Sequence, residues 1–209
     1  MQNYKTHWEN IYETKTESDL SWSQPYPHTS VDFINLFKLP KTSSVIDIGG
    51  GDSHLVDALL ELGYSDISVL DISAKSIQRA KSRLGEKAAA ITWIEKDIVD
   101  FVPERKYDFW HDRAAFHFLT TEIQITKYLA IAKQSIKPSG HLVLGTFSDK
   151  GPTKCSGLEI RQYTEASMSV LFAKDFTRIK CIKETHTTPF NTQQNFVFCS
   201  FQRTSIPIL

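Results

Sequence analysis

Ser44-Val45-Ile46-Asp47-Ile48-Gly49-Gly50-Gly51-Asp52-Ser53 is the stretch that decides the fold of this chain. A short apolar run carrying one acid ends in three consecutive glycines. Directly after it, Leu55, Val56, Leu59, Leu60 and Leu62 recur at helical spacing up to Gly63. That order predicts a buried strand over Val45–Ile48, a sharp turn, and a helix closed by a C′ glycine. Glycines in such a turn adopt positive φ and let a ligand approach the bare backbone. The predicted element is therefore a βα unit with room for a nucleotide-sized ligand at its tip.

Outward from this unit the same alternation continues. Ile67–Leu70 reads as a second strand, followed by a helix carrying Ala74, Ile77, Ala80 and Leu84 and closed by Gly85. Ile91–Ile94 and Tyr107–His111 read as strands three and four. Thr121 with Gln124 forms a capping-box pattern that opens a helix through Ile125, Leu129, Ala132 and Ile136. Lys137-Pro138-Ser139-Gly140 is a turn, and His141–Phe147 a fifth strand. Thr164 caps a helix through Leu171. The runs Phe176–Glu184 and Asn195–Phe201 lie too close for a helical crossover and pair antiparallel. Upstream, a helix is expected from Tyr4 to Tyr12, and another capped by Ser30 and ended by Pro40.

Strands alternating with helices at this rhythm give an α/β fold. The expected sheet is doubly wound, Rossmann-like and seven-stranded. It is mostly parallel, with an antiparallel C-terminal hairpin and helices on both faces. No repeat, low-complexity tract or linker interrupts it. The expected organisation is one domain over 1–209, with an N-terminal helical lid segment over 1–42 and the core over 43–203.

Lysine plus arginine equals aspartate plus glutamate, 24 of each in 209 residues, so no overall positive field draws the chain to nucleic acid or to an anionic membrane. No apolar run approaches the ~20 residues of a membrane span, and the first 30 residues lack a signal core. Three cysteines without metal-like spacing fit a reduced cytoplasmic setting, with Cys181 and Cys199 expected as core residues. The seven histidines show no ligand spacing, and no metal is expected.

A dinucleotide fingerprint requires G-x-G-x-x-G. Gly49 and Gly51 supply two of its glycines, but His54 holds the third position and Gly63 is too distant to replace it. Asp47 is unsuited to a pyrophosphate and suited to a cationic amino-acid ligand. Asp71 stands 22 residues beyond Gly49 at the end of strand two, where a carboxylate accepts both ribose hydroxyl protons or caps the next helix. Asp97-Ile98 follows strand three. The order Asp-x-Gly-x-Gly, then Asp71, Asp97 and the Lys137–Gly140 turn, resembles the motifs of class I S-adenosylmethionine-dependent methyltransferases over about residues 43–203.

The resemblance implies S-adenosyl-L-methionine as cofactor, cradled by Asp47, Gly49, Gly50 and Gly51. It also implies Asp71 and Ile72 at the ribose, Asp97 on the adenine amino group and Ile98 against the ring. His111 is expected to touch the cofactor from strand four. Trp22 belongs to an N-terminal segment, with Trp8, Glu9 and Tyr12, that folds over the site.

Asp112-Arg113-Ala114-Ala115 after strand four is similar to thiopurine and related thiol methyltransferases, although Cys155-Ser156-Gly157-Leu158 has no counterpart there. Asp112, Arg113 and His117 are the catalytic candidates: Arg113 to favour a thiolate, and His117 or Asp112 to remove a proton. Equally open readings are an Asp112–Arg113 pair bracing the loop and a His117 satisfied in the core.

The expected reaction is in-line methyl transfer to a small-molecule thiol or other heteroatom nucleophile. The alternatives are a protein lysine or histidine methyltransferase, and a catalytically silent cofactor-binding module. No Asn/Asp-Pro-Pro-aromatic motif follows strand four, which counts against nucleic-acid amines.

Overall fold

A computed structural model describes residues 4–205; the expected domain bounds of 1–209 reach beyond them at both ends. Strand β1 (Ser44–Ile48) is buried along its whole length, as a strand covered on both faces must be. It leads through the glycine turn into α3 (Leu55–Glu61), after which Gly63 takes φ +85°. Strand β2 (Asp66–Asp71), helix α4 (Ala74–Leu84) and strand β3 (Ile91–Glu95) follow. Strand β4 (Tyr107–Arg113), helix α5 (Glu122–Ser135) and strand β5 (Ile136–Phe147) complete the parallel part. The Thr121–Gln124 capping box opens α5 as expected.

The seven-stranded sheet has the order β3-β2-β1-β4-β5-β9-β8. Strands β8 (Phe176–Thr187) and β9 (Gln193–Arg203) form the terminal hairpin, and β9 runs antiparallel to β5. The chain reverses its direction of progress between β1 and β4, so a crevice opens beyond the carboxyl ends of these strands. On one face, Ile46, Ile48, Trp110 and Leu142 pack with α5 and with Met168 and Phe172 of α6 (Glu165–Phe172). On the other, Val45, Val69, Phe109 and Val143 pack with α3 and with Val31 and Ile34 of α2 (His28–Leu36). Helix α1 (Tyr4–Thr14) lies outside both layers, against α4.

Several local readings are corrected. Ser30 does not cap α2, which starts at His28; it sits in the first turn, buried, with its hydroxyl committed to a ring nitrogen of His111. Strand β4 runs two residues past the expected end, so His111 lies inside the sheet beside Asp47. The Lys137–Gly140 turn is a bulge within β5, where Ser139 takes φ +61° between the pairs Tyr107–Ile136 and Phe109–His141. Cys155-Ser156-Gly157-Leu158 folds as a two-stranded ribbon, β6 (Lys154–Cys155) and β7 (Leu158–Glu159), with both Ser156 and Gly157 at positive φ. That is the type I′ hairpin turn, which explains the Ser-Gly pair.

Cys181 and Cys199, expected as core thiols, face each other across β8 and β9 and are joined in a disulfide, leaving Cys155 as the free cysteine. Trp110 is fully buried and donates to the Tyr128 hydroxyl at 3.0 Å. Trp93 is half-buried on the edge strand β3 and donates to the Ala88 carbonyl at 3.0 Å.

Candidate functional site

Three strand ends build one wall of a cavity with about 850 Å³ of open space. Gly49 from the turn after β1, Asp71 and Ile72 from the end of β2, and Asp97 and Ile98 from beyond β3 all line it. Gly49 adopts φ +66°, and a Cβ there would meet the Ala115 Cβ at 2.6 Å. A Cβ on Gly51 would fall 2.1 Å from the Ser76 hydroxyl and 2.6 Å from an Asp71 oxygen. At Gly49 the positive φ and the Ala115 side chain both call for glycine, and at Gly51 the Ser76 and Asp71 side chains do.

The carboxylate of Asp71 accepts the Gly51 N–H at 3.0 Å and the Ser73 N–H at 2.8 Å. Burial pushes its pKa up to about 6, against the pull of these hydrogen bonds. Each carboxylate oxygen accepts more than one donor, so capacity remains on the cavity side. Asp97 caps a short 3₁₀ turn by accepting the Val99 N–H at 3.1 Å, and it lines the cavity as well. For Asp71 and Asp97, the capping reading and the ligand-facing reading hold together.

Helix α1 closes the cavity from above. Tyr4, Trp8 and Tyr12 are spaced four residues apart, so they share one helix face, and all three line the cavity. Trp8 meets Trp22 edge-on at 5.7 Å and Phe118 at 5.1 Å. Glu9, on the same helix, holds α1 in place. Its carboxylate accepts the N–H groups of Ala74 at 2.8 Å and Lys75 at 3.2 Å, and the Ser73 hydroxyl at 3.2 Å. A carboxylate at the first turn of α4 is the favourable sign for the helix dipole.

A second cavity, about 600 Å³, shares Tyr12, Trp22, Gly49 and Arg113 with the first and extends to Gly50, Asp47 and His111. Here Asp47 Oδ1 and His111 Nδ1 are 2.7 Å apart, and His111 Nε2 is 2.8 Å from the Ser30 hydroxyl. The other Asp47 oxygen is buried without a hydrogen-bond partner. A buried carboxylate oxygen in that state is an acceptor awaiting a donor.

The three catalytic candidates separate. Successive residues of a strand point to opposite faces, so Arg113 joins the cavities while Asp112 points into the core. Asp112 is fully buried and accepts the Ala115 and Phe116 N–H groups, both at 3.1 Å, and the Tyr128 hydroxyl at 2.8 Å. It lines neither cavity, does not pair with Arg113, and braces the loop alone; burial pushes its pKa up to about 6. His117 is also fully buried, stacked on Phe147 at 4.7 Å, with its pKa pushed down to about 3 by burial and by the Arg113 charge. It reaches neither cavity, and its place as a candidate base is withdrawn.

Arg113 lines both cavities, donates to the Trp22 carbonyl at 2.9 Å, and lies over the Phe196 ring at 4.9 Å. Residues with no cavity role assigned from the sequence also line the first cavity, among them Tyr4, Phe118, Leu119, Gln124, and Cys155, which the β6–β7 ribbon brings to the wall. Tyr4 carried a legible signal, because its four-residue spacing from Trp8 and Tyr12 marks one helical face. Cys155 carried none.

Residues 45–140 match the family model described as a methyltransferase domain. The chain is 25% identical over 111 residues to malonyl-acyl carrier protein O-methyltransferase 1 of Ilyobacter polytropus, covering 53% of this chain and 40% of that protein. It is 25% identical over 122 residues to the eEF1A lysine and N-terminal methyltransferase of Mus musculus, covering 57% of this chain and 17% of that one. The chain therefore spans less than half the length of these relatives. Among solved structures, the N-methyltransferase NodS from Bradyrhizobium japonicum, in complex with S-adenosyl-L-homocysteine, superposes with a TM-score of 0.74. The two are 16% identical, over 97% of this chain and 100% of that one. The family match spans the strands and turns that carry the glycine turn, Asp71 and Asp97, and the superposition shows the same fold.

Proposed function

We propose that this chain transfers the methyl group of S-adenosyl-L-methionine to a small-molecule thiol or other heteroatom nucleophile. The observation that carries this reading is the convergence of Gly49, Asp71, Asp97 and Ile98 on one cavity that continues to Arg113 and Trp22. Asp71 would hold the ribose hydroxyls, with Ile72 beside them. Asp97 would accept from the adenine amino group, and Ile98 would cover the ring. The unpartnered Asp47 oxygen and the Gly49–Gly51 turn would receive the amino-acid end, with His111 fixing Asp47 through its other oxygen. When bound, the cofactor supplies a sulfonium-activated methyl group. The protein's part is to align the acceptor and exclude water, which Trp8, Tyr12 and Trp22 do from the lid side.

Thermal denaturation tests this reading. S-adenosyl-L-homocysteine at 100 times its Kd should stabilise the native state by about 2.7 kcal/mol, and NAD should leave the melting temperature unchanged. Asp71→Ala should remove the shift. A shift with NAD, or an undiminished shift in Asp71→Ala, overturns the ribose assignment.

A further inference from the structure

Arg113 is the one side chain shared by the two cavities whose charge no ion pair balances. Its Nε and Nη2 groups are buried without a hydrogen-bond partner, and among the described residues its one hydrogen bond runs to the Trp22 carbonyl. Among the described residues, no carboxylate lies within 4.0 Å of the guanidinium; Glu184 and Asp47 act on it from farther away. Burial lowers its pKa only to about 10, so it is a cation at neutral pH. Buried donors are almost always paired in native proteins, and a guanidinium offers five N–H groups in a fork that matches planar anions.

The carboxylates of the first cavity, Asp71 and Asp97, already accept backbone N–H groups, and no histidine lines it among the described residues. Burial holds the Tyr12 phenol well above its usual range and pushes the Cys155 thiol up to about 12, so both keep their protons. Around Arg113 the surfaces are aromatic: Trp22 supplies its carbonyl, Phe196 stacks below, and Trp8 and Phe118 close the side.

We infer that the acceptor is a small aromatic or apolar-bodied anion, ionised before it binds, whose charged group is received by Arg113. This rests on the methyl-transfer reading and narrows its substrate class. A thiolate fits best. Its sulfur lone pair forms the bond to the methyl carbon as the carbon–sulfonium bond breaks, giving a thioether and neutral S-adenosyl-L-homocysteine, with no proton to dispose of. Opposite charges disappear as the bond forms, so a dry apolar cavity favours the step more than water does. A protonated amine meets the opposite situation: Arg113 repels it, and among the described residues the first cavity has no histidine to take its proton.

The test uses protein saturated with S-adenosyl-L-homocysteine and calorimetric titration with benzenesulfonate, an aromatic anion that is not methylated, against benzylamine. Transfer of radioactive methyl from S-adenosyl-L-methionine to thiophenol is followed in parallel. Benzenesulfonate should bind and benzylamine should not. Arg113→Met should weaken benzenesulfonate binding and raise the thiophenol KM by about 10- to 100-fold. Affinity for S-adenosyl-L-homocysteine should stay within about threefold, and Arg113→Lys should recover part of the loss. Unchanged benzenesulfonate affinity in Arg113→Met overturns the inference. So does preferential methylation of benzylamine, absence of transfer to thiophenol, or a loss confined to S-adenosyl-L-homocysteine binding, which would assign Arg113 to the cofactor's carboxylate. Failure of wild-type protein to bind S-adenosyl-L-homocysteine refutes the underlying reading instead.

Discussion

The carboxylate of Asp71 accepts the Gly51 N–H at 3.0 Å, and so ties the end of β2 to the glycine turn that follows β1. The bond joins Asp71, which lines the first cavity, to the turn whose Gly49 lines it as well. A side chain at Gly51 would be driven into the Asp71 carboxylate and the Ser76 hydroxyl. Gly51→Ala should therefore destabilise the protein by about 1–3 kcal/mol and abolish the S-adenosyl-L-homocysteine melting shift. Gly63 is the comparison, since it takes φ +85° with nothing within 4 Å of an added Cβ. Gly63→Ala should cost about 1–2 kcal/mol through backbone strain and leave ligand binding intact.

Asp112 titrates in the core. Its folded pKa of about 6 lies above the ordinary 3.8, because burial disfavours the charge more than three donors support it. The stability it contributes is full below about pH 3.8 and is lost as pH rises through 6, a change of about 3 kcal/mol. Asparagine preserves the two backbone acceptances and can donate to Tyr128. Urea unfolding of wild type and Asp112→Asn at pH 4 and pH 7 should show the variant gaining on wild type at the higher pH. Its methyl-transfer rate should remain within about threefold of wild type.

His117 should act in the opposite sense. Its folded pKa of about 3 lies below the ordinary 6.5, so its contribution is full above 6.5 and is lost as pH falls towards 3. The size is on the order of 5 kcal/mol. His117→Gln should flatten this acid loss in unfolding measurements and leave the pH profile of methyl transfer where it is. A profile displaced by the substitution would return His117 to catalysis.

Glu9 links α1 to α4. Glu9→Ala removes the acceptor for the Ala74 and Lys75 N–H groups and should cost about 1 kcal/mol in unfolding. It should also speed release of S-adenosyl-L-homocysteine several-fold in stopped-flow fluorescence, because Trp8 and Tyr12 ride on the same helix. An unchanged release rate would show that α1 does not gate the site.

The sheet was legible because Val45–Ile48, Ile67–Leu70 and the glycines after them are local signals whose pattern repeats. Asp71 and Asp97 were legible as positions, since strand ends converge wherever a parallel sheet reverses its winding. The sidedness of Asp112 and Arg113 was not, because it depends on β4 running to Arg113 rather than stopping at His111. With that end known, alternation alone places His111 and Arg113 on one face and Asp112 on the other. The His111–Ser30 contact spans 81 residues and the Cys181–Cys199 disulfide depends on strand register, so neither has a local signature. Cys155 reaches the cavity only through the type I′ turn at Ser156-Gly157.

The most direct measurement supplies S-adenosyl-L-methionine with a radioactive methyl group to the protein in a size-fractionated cell extract. Label in the acid-soluble small-molecule fraction, lost in Asp71→Ala, is the predicted result. Label confined to precipitated protein would contradict the account and turn the aromatic lid into a peptide-docking surface. Binding of S-adenosyl-L-homocysteine with no label in either fraction would contradict it as well.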